Sequence, residues 1–176
     1  MKNLGLAKQI LGIKITRGQS KRLLWALWLS QERYVEQLLG RFNMHKTKFV
    51  NTPLTAHFKL SMKTSPASEN EEVEMKYVPY LSVVGSLVYA MICTRPNIAY
   101  ALGVVRRFLT NPRKEHWLAI KWMLWYLRGT SKKRLFFHNG RPVLESYTDA
   151  DMASETDSRK STSRYLTTCT LGAVSR

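Results

Sequence analysis

Acidic residues are scarce in this chain, and aspartate is missing from most of it. Twelve Asp and Glu stand against 28 Lys and Arg in 176 residues, no aspartate precedes Asp149, and no Asp-Asp pair occurs anywhere. Sites that transfer phosphoryl groups with two metal ions need several carboxylates converging on those ions. Catalysis by paired aspartates is therefore excluded for the first 148 residues.

Other signatures of function and location are missing as well. No apolar run reaches the roughly 18 residues that a membrane span needs, and the first residues lack the apolar core of a secretory signal. No Arg-x-Leu-Arg motif, phosphate-binding Gly-rich loop or nucleophile elbow occurs, and the four histidines match no metal-ligand spacing. Cys93 and Cys169 form no metal-like pair either, so we expect free thiols in a reducing compartment. We expect a cytoplasmic or nuclear protein, neither secreted nor bound to a membrane.

Positive charge is in excess, and it is unevenly distributed. The formal net charge is +16. Residues 1–50 carry ten Lys and Arg against two acids, and residues 77–140 carry ten against one, whereas 51–76 and 141–176 are close to neutral. A basic surface favours contact with the phosphate backbone of nucleic acid, which is sensitive to salt and independent of base sequence. A solvated surface without a partner is the alternative.

The first part of the chain has the pattern of strands followed by a helix and a linker. Residues 4–29 read as extended, with apolar residues alternating along part of their length. Ser30 is a suitable N-cap for a helix, whose apolar positions recur at helical spacing: Tyr34, Val35, Leu38, Leu39 and Phe42. Residues 43–76 read as loop, and we expect 61–76 to be a flexible linker.

Three helices and three strands are predicted after the linker. The helices cover about 79–92, a segment that begins near Pro96, and a segment from about Arg113 that stops at Gly129. The strands cover 134–138, 143–149 and 161–168. Asn139-Gly140 predicts a hairpin between the first two strands, because both residues tolerate the backbone angles of a tight turn.

The third helix is apolar around much of its circumference. One face should pack against the stripe of the second helix, Ile98, Ala101, Leu102, Val105 and Phe108. That face consists of Trp117, Ile120, Leu124 and Leu127. Leu118 and Trp125 lie off it. One interpretation is therefore a helical protein-interaction module with an exposed surface of Leu118, Trp117, Trp122 and Trp125.

A series of motifs runs through nearly the whole chain in the order found in one known family. They include Met1-Lys2-Asn3-Leu4-Gly5, Asn51-Thr52-Pro53-Leu54, Cys93-Thr94-Arg95-Pro96-Asn97, Tyr126-Leu127-Arg128-Gly129-Thr130 and Tyr147-Thr148-Asp149-Ala150-Asp151. In these motifs the chain resembles the Pol polyprotein of copia-type LTR retrotransposons. The resemblance covers the reverse transcriptase thumb and connection and the opening of ribonuclease H.

The resemblance implies an α+β fold with N-terminal strands and a thumb-like helix, a three-helix connection region and a truncated ribonuclease H β-hairpin at the C-terminus. The segments would be 1–60 as the palm end and thumb of reverse transcriptase, 61–76 as a flexible linker, 77–131 as the helical connection region, and 132–176 as the ribonuclease H-like start. The implied product is a fragment of a reverse transcriptase and ribonuclease H polyprotein.

Asp149 corresponds, within this resemblance, to the first metal-binding carboxylate of ribonuclease H. Alternation along the strand puts Asp149 and Asp151 on the same side. In the family the other carboxylates come from later elements, and the polymerase aspartates come from a Tyr-x-Asp-Asp turn just upstream of the strand that begins at Met1. Mg²⁺ is the cofactor of the parent family, but we expect no cofactor in this fragment, because Asp149 would hold metal only in a complete domain. Asp149 is then a vestigial catalytic residue, and the isolated chain should not be an enzyme.

The resemblance also implies a role for the basic helices, since thumb and connection grip the template–primer and the parent family acts on RNA–DNA hybrids. The candidate nucleic-acid-binding residues lie in or beside the second and third helices: Arg106, Arg107, Arg113, Lys114, Lys121 and Arg128, with Arg95 close by. Lys114, Lys121 and Arg128 are seven residues apart and so lie along one side of the third helix. We expect weak binding without base preference, and the remainder of the Pol polyprotein as a further partner.

Overall fold

The computed structural model describes residues 5–20, 23–58, 60–61, 69–138, 143–151, 161–169 and 172–175. Within these ranges the chain forms five α-helices and two antiparallel sheets. The predicted α+β class is therefore confirmed. The assignment of its parts to thumb, connection and ribonuclease H stays a prediction.

The first sheet has four strands in the order β1 (Gln9–Ile10), β2 (Ile13–Ser20), β3 (Leu23–Ser30) and β4 (Leu135–His138). A two-residue turn at Leu11-Gly12 joins β1 to β2, with φ angles of 47° and 74°. Positive φ at both central residues is what a type I′ hairpin requires, since its twist matches that of the flanking strands. The Tyr89 hydroxyl donates a hydrogen bond to the Leu11 carbonyl, which ties this hairpin to the helical body.

The strand β4 pairs with β3 and not with the strand that follows it in the chain. Trp28 lies opposite Phe136, and their ring centroids are 5.3 Å apart. The predicted hairpin around Asn139-Gly140 is wrong, because β5 (Leu144–Asp151) pairs with β6 (Thr162–Cys169) in the second sheet. The apolar strand β3 gives the aromatic side chains of β4 a cross-strand partner, which the polar strand β5 does not. Residues 139–142 themselves lie outside the described residues.

The second sheet has the order β5, β6 and β7 (Gly172–Ser175). The strands predicted at 143–149 and 161–168 are confirmed with ends shifted by one or two residues, and β7 was not predicted. Residues 144–150 of β5 are all exposed. A strand whose two faces are both exposed has no core of its own to pack on.

The helices are α1 (Glu32–Arg41), α2 (Glu69–Lys76), α3 (Tyr80–Cys93), α4 (Ala99–Arg106) and α5 (Lys114–Thr130). A 3-10 turn at Pro96–Ile98 leads into α4. The three helices predicted after the linker are therefore confirmed. The first helix begins slightly later than predicted, with Gln31 as its N-cap, although the Ser30 hydroxyl still accepts a hydrogen bond from the Glu32 amide at 3.3 Å.

The core lies between α1, α3, α4 and α5. On α5, Ile120, Met123, Leu124 and Leu127 are completely buried. They belong to one apolar cluster with residues of the predicted stripes of α1 (Val35, Leu38 and Leu39) and α4 (Ala101, Leu102 and Val105), and with Val83, Val84 and Leu87 of α3. Full burial of each large aliphatic side chain contributes about 1.5–3 kcal/mol. Helix α5 is thus the central element of the fold. Because it packs on the other core helices, the direction in which its outer face points is fixed.

The predicted linker contains a helix. Residues 69–76 form α2, and its Met75 is buried among the core residues. The expectation of loop throughout 61–76 is wrong for this half, because Glu, Met and Lys have good helix propensity and Met75 gains a packing site. Residues 62–68 lie outside the described residues.

The third helix extends one residue past its predicted end at Gly129, to Thr130. A Cβ atom placed on Gly129 would lie 3.2 Å from the Cβ of Phe49 and 3.5 Å from the carbonyl oxygen of Val50. The glycine is needed here because a loop packs directly on the helix backbone. Close packing, and not chain termination, explains the residue.

The four predicted segments share structure across their boundaries. The Tyr34 hydroxyl of α1 donates to the Ser86 carbonyl of α3 at 3.0 Å, and α1 also packs against α5. Strand β4, from the predicted ribonuclease H segment, pairs with β3 of the first segment. The described elements therefore form a helical body joined to the first sheet, whose strands come from segments before and after the helices in the chain.

Three observations concern the cysteines and possible membrane segments. Cys93 and Cys169 are free thiols, and both are half-buried. Among the described residues, no single helix is long and apolar enough to cross a bilayer. Asn70–Lys76 and Tyr80–Cys93 reach the necessary length and composition only as a pair, which is bent by 53°.

Candidate nucleic-acid interface

The basic side of α5 is the centre of the predicted interface. This helix has 17 residues and is therefore about 26 Å long at 1.5 Å per residue. Lys114 is exposed, whereas Lys121 and Arg128 are half-buried. Because Arg113 and Arg128 are separated by about 22 Å of helix, the predicted cations cannot form one compact site, and the two ends of α5 have different surroundings.

The amino end of α5 is in contact with the acidic helix α2. The Lys114 amide donates to Glu71 Oε1 at 2.9 Å, and Lys114 Nζ lies 2.7 Å from Glu74 Oε2. The hydrogen bond and charge of Glu74, with a further contribution from Glu71, raise the pKa of Lys114. Carboxylates are favoured at the N-terminus of a helix, where the backbone amides are unpaired. The positive charge of Lys114 is thus already matched within the chain.

Three predicted arginines lie near this same end. Arg106 and Arg107 are exposed at the end of α4, and Arg113 is the N-cap of α5. The turn between them is fixed by the ring of Phe108, which stacks on His116 at a centroid distance of 3.8 Å. His116 is buried and its Nδ1 accepts a hydrogen bond from the Arg113 amide at 3.0 Å. That histidine is therefore a structural residue of the turn.

Arg95 does not belong to the interface. Only 4% of it is exposed, and its guanidinium donates to the carbonyls of Thr130 and Ser131 at 2.8 and 3.0 Å. Burial lowers the pKa of Arg95. A cation at the carboxyl end of a helix satisfies the free carbonyls and the helix dipole. Arg95 therefore caps α5, which corrects its placement among the nucleic-acid contacts.

The outer face of the second half of α5 is covered by the loop between α1 and α2. Trp122 Nε1 donates to the Thr52 carbonyl at 2.9 Å, and Lys48 Nζ lies 4.3 Å from the centre of a Trp125 ring. A lysine over an indole face is held by a cation–π interaction. These contacts bring a basic loop onto a basic helix.

We define the carboxyl patch as six described cations of this loop, of the middle and carboxyl end of α5 and of the turn after it: Lys46, Lys48, Lys121, Arg128, Lys132 and Lys133. The sequence has no acidic residue in 37–68 or in 116–144, the two segments that supply the patch. Lys46 and Lys48 were missed by the sequence analysis, because the contact between the loop and α5 spans some 70 residues. In the sequence, Gly129 was the residue that could have indicated this contact between loop and helix, but we interpreted it as the end of the helix.

The same contacts remove most of the surface proposed for a helical interaction module. Trp122 and Trp125 are half-buried under the loop, and Trp117 packs against the core. Leu118 is 41% exposed. An isolated exposed leucine is ordinary on a protein surface. The prediction that these tryptophans are exposed is therefore wrong.

Asp149 lies on β5, where its exposed side chain stands opposite Arg164 in the strand register. Glu145 is on the same face but four residues away, about 13 Å along the strand, and it accepts a hydrogen bond from the Tyr147 hydroxyl at 3.2 Å. Two-metal sites need carboxylates around ions about 4 Å apart. In the described part of the chain no group of three or more His, Cys, Asp or Glu could hold a metal ion. The described carboxylates therefore do not fit Mg²⁺.

Comparisons with known proteins agree with the motif order. A "Retrovirus-related Pol polyprotein from transposon TNT 1-94" of Nicotiana tabacum is 57% identical over 175 residues, which are 99% of this chain and 13% of that protein. The "Retrovirus-related Pol polyprotein from transposon RE1" of Arabidopsis thaliana is 37% identical over 84% of this chain and 10% of its own length. "Secreted RxLR effector protein 161" of Plasmopara viticola is 46% identical over 102 residues, which are 57% of this chain and 72% of that protein. No family model and no solved structure matches.

The chain belongs to the family of retrovirus-related Pol polyproteins of copia-type retrotransposons. It spans about an eighth of the length of the tobacco polyprotein. The resemblance drawn from the motifs is therefore confirmed. Expectations about compartment and secretion stay predictions, and one relative carries the word secreted in its name.

Proposed function

We propose that this chain is the segment of a reverse transcriptase and ribonuclease H polyprotein that grips nucleic acid by its phosphate backbone, and that it performs no catalysis by itself. The observation that carries the proposal is the carboxyl patch, in which Lys48 of a distant loop is held against the same helix that carries Lys121 and Arg128. Basic surfaces supplied by segments without acidic residues attract polyphosphates of any base sequence.

Binding of this kind works by charge neutralisation. Each lysine or arginine that approaches a phosphate releases condensed counterions, so the logarithm of the affinity falls with the logarithm of salt concentration, by about 0.9 per phosphate on duplexes and 0.7 on single strands. The patch has six cations, of which only some can reach phosphates together. In the polyprotein, such a surface would hold an RNA–DNA hybrid while active sites elsewhere act on it.

The test is a salt titration of the purified chain by fluorescence anisotropy, with a single strand, a duplex and a hybrid. We expect weak binding to all three that falls steeply between about 50 and 200 mM salt. Lys121→Glu with Arg128→Glu should weaken all three and flatten the salt slope. Lys14→Glu, an exposed lysine of β2, is the control and should have a smaller effect per charge. Binding that ignores salt, or that follows base sequence, would overturn the proposal.

The absence of catalysis is tested separately. With Mg²⁺ or Mn²⁺, an RNA–DNA hybrid and a primed template, the isolated chain should give only background hydrolysis and extension, since Asp149 lacks partner carboxylates among the described residues. Activity that disappears in Asp149→Asn would contradict this part of the proposal.

We also propose that the remainder of the Pol polyprotein covers the second sheet. Leu144, Tyr147 and Tyr165 are 66%, 59% and 53% exposed on strands that neighbour each other. Apolar and aromatic side chains on a sheet are normally buried against another layer. A longer polyprotein fragment should protect the amides of β5 and β6 from hydrogen exchange more than this chain does; equal protection would argue against the partner.

A further inference from the structure

One aromatic side chain of the carboxyl patch is exposed. Phe49 is 66% exposed, although it lies against the backbone of the last turn of α5 at Gly129. Two neighbouring rings of the same loop behave differently, since His57 and Phe58 pack on Trp122 at centroid distances of 5.6 and 5.8 Å. Within the described part of the chain, Phe49 makes no ring–ring contact. Of these three described rings of the loop, that of Phe49 is thus the one that remains accessible to a ligand without another ring packed on it.

Two cations are neighbours in the chain of the residues that form this contact. Lys48 precedes it and is held over Trp125 at 4.3 Å, while Arg128 precedes the glycine on which Phe49 packs. The glycine allows this close approach, because a Cβ at position 129 would lie only 3.2 Å from the Phe49 Cβ and would push the loop outward. The ring is therefore positioned by a close backbone contact, not by a mobile tip.

We propose that Phe49 is a stacking platform for one base of a single-stranded nucleic acid, whose adjacent phosphates are held by Lys48 and Arg128. The proposal rests on the proposed function and adds to it the form of nucleic acid that the patch prefers. A charged groove combined with an aromatic ring is the usual means of binding single strands, and it tolerates any base because every base has a π face. Bases of an intact duplex are already stacked on each other and cannot reach the ring.

The electrostatic and the stacking contributions to the binding affinity can be distinguished at high salt. Screening weakens the phosphate contacts of single strands and duplexes alike. Stacking does not depend on counterion release, so the affinity ratio of single strand to duplex should rise as salt is added. Charge alone gives a smaller rise, because the salt slope per phosphate is shallower for single strands than for duplexes, and that smaller rise would not change in Phe49→Leu.

The experiment compares Phe49→Leu and Phe49→Trp with the unmodified chain, using a thymidine oligonucleotide and a duplex of equal length at about 200 mM salt. Phe49→Leu keeps an apolar contact on Gly129 but removes the π face, and should weaken single-strand binding about five- to tenfold while leaving the duplex unchanged. Phe49→Trp should keep or increase single-strand binding. Tyr77→Leu, which removes a ring 85% exposed elsewhere, is the control and should change neither.

The outcomes distinguish this proposal from the function on which it rests. If charge reversal at Lys121 and Arg128 leaves binding intact, the proposed function fails. If charge reversal weakens binding but Phe49→Leu does not, or weakens single strand and duplex equally, only the stacking proposal fails. A self-association of the chain that Phe49→Leu abolishes would assign the ring to a protein contact and would also overturn it. Thermal unfolding of each variant checks that the fold is kept.

Discussion

The two ends of α5 carry similar charge in the sequence but have opposite surroundings in the structure. At the amino end Lys114 is bonded to Glu71 and Glu74 of α2. From the middle of α5 to its carboxyl end, a loop without any acid places Lys48 against the helix that carries Lys121 and Arg128. Counting cations along a helix therefore overestimates the interface, because what matters is which segment packs beside each cation.

The strongest effect is expected at the buried cap of the carboxyl end. Arg95→Met removes two hydrogen bonds to the carbonyls of Thr130 and Ser131. Breaking charged hydrogen bonds to buried acceptors should lower the free energy of unfolding by about 3 kcal/mol. Urea denaturation measures it. Arg106→Met, an exposed arginine at the end of α4, is the control; equal losses in both variants would contradict the capping role.

The contact between loop and helix is tested at Gly129. Gly129→Val places a side chain 3.2 Å from the Phe49 Cβ and should cost about 2 kcal/mol of stability by forcing the loop away. Gly103→Ala is the matched control, because nothing lies within 4 Å of a Cβ there. That control should gain about 0.5–1 kcal/mol from helix propensity. Stabilisation of both variants in thermal unfolding would mean that the loop does not pack on α5.

The difference between the two ends in binding is tested by single neutralisations. Lys121→Gln should weaken nucleic-acid binding about fivefold near 100 mM salt and reduce the salt slope by about one unit. Lys114→Gln should change affinity much less, since that ammonium is already paired with Glu74. Anisotropy titrations at several salt concentrations give both values. Equal losses of affinity in the two variants would show that the Lys114–Glu74 pair opens freely and that both parts of α5 contribute equally to binding.

The smallest effect is expected from the ion pair itself. Both partners are more than half exposed, and exposed pairs contribute little to stability. Because the pKa of Lys114 is raised above its usual 10.5, the pair contributes below about pH 10.5 and is lost as pH rises through the elevated value. In Glu74→Gln the Lys114 pKa, followed by NMR, should fall. Glu72→Gln, another exposed acid of α2, should change it less; an unchanged value in Glu74→Gln would mean that the pair does not form in solution.

Local patterns predicted the helices and their buried faces well. The spacing of Val35, Leu38 and Leu39, and that of Ile120, Leu124 and Leu127, selects the faces that form the core. These predictions succeed because the helical repeat alone decides which side chains point the same way. The order of motifs, extended over almost the whole chain, was also sufficient to identify the family.

Contacts between segments that are far apart in the chain could not be predicted from the sequence. The pairing of β4 with β3, the docking of Glu71 on α5 and the hydrogen bond from Trp122 to Thr52 each join residues far apart in the chain. Local propensity says nothing about such partners. The site residues stay a prediction, but local patterns could not show that Lys114 pairs with Glu74, that Arg95 is buried, or that Lys48 lies against α5. The role of Asp149 stays a prediction.

The pairing of β3 with β4 has a consequence for how the chain is made. Leu29 lies opposite Leu135, so the strands close a loop of about 100 residues, and such closure is slow because its entropy is lost before the contact forms. During synthesis, β3 emerges long before its partner and exposes an apolar edge containing Leu27 and Trp28. Exposed edges of this kind promote aggregation. A chain truncated before β4 should therefore be far more prone to aggregate than one that includes it.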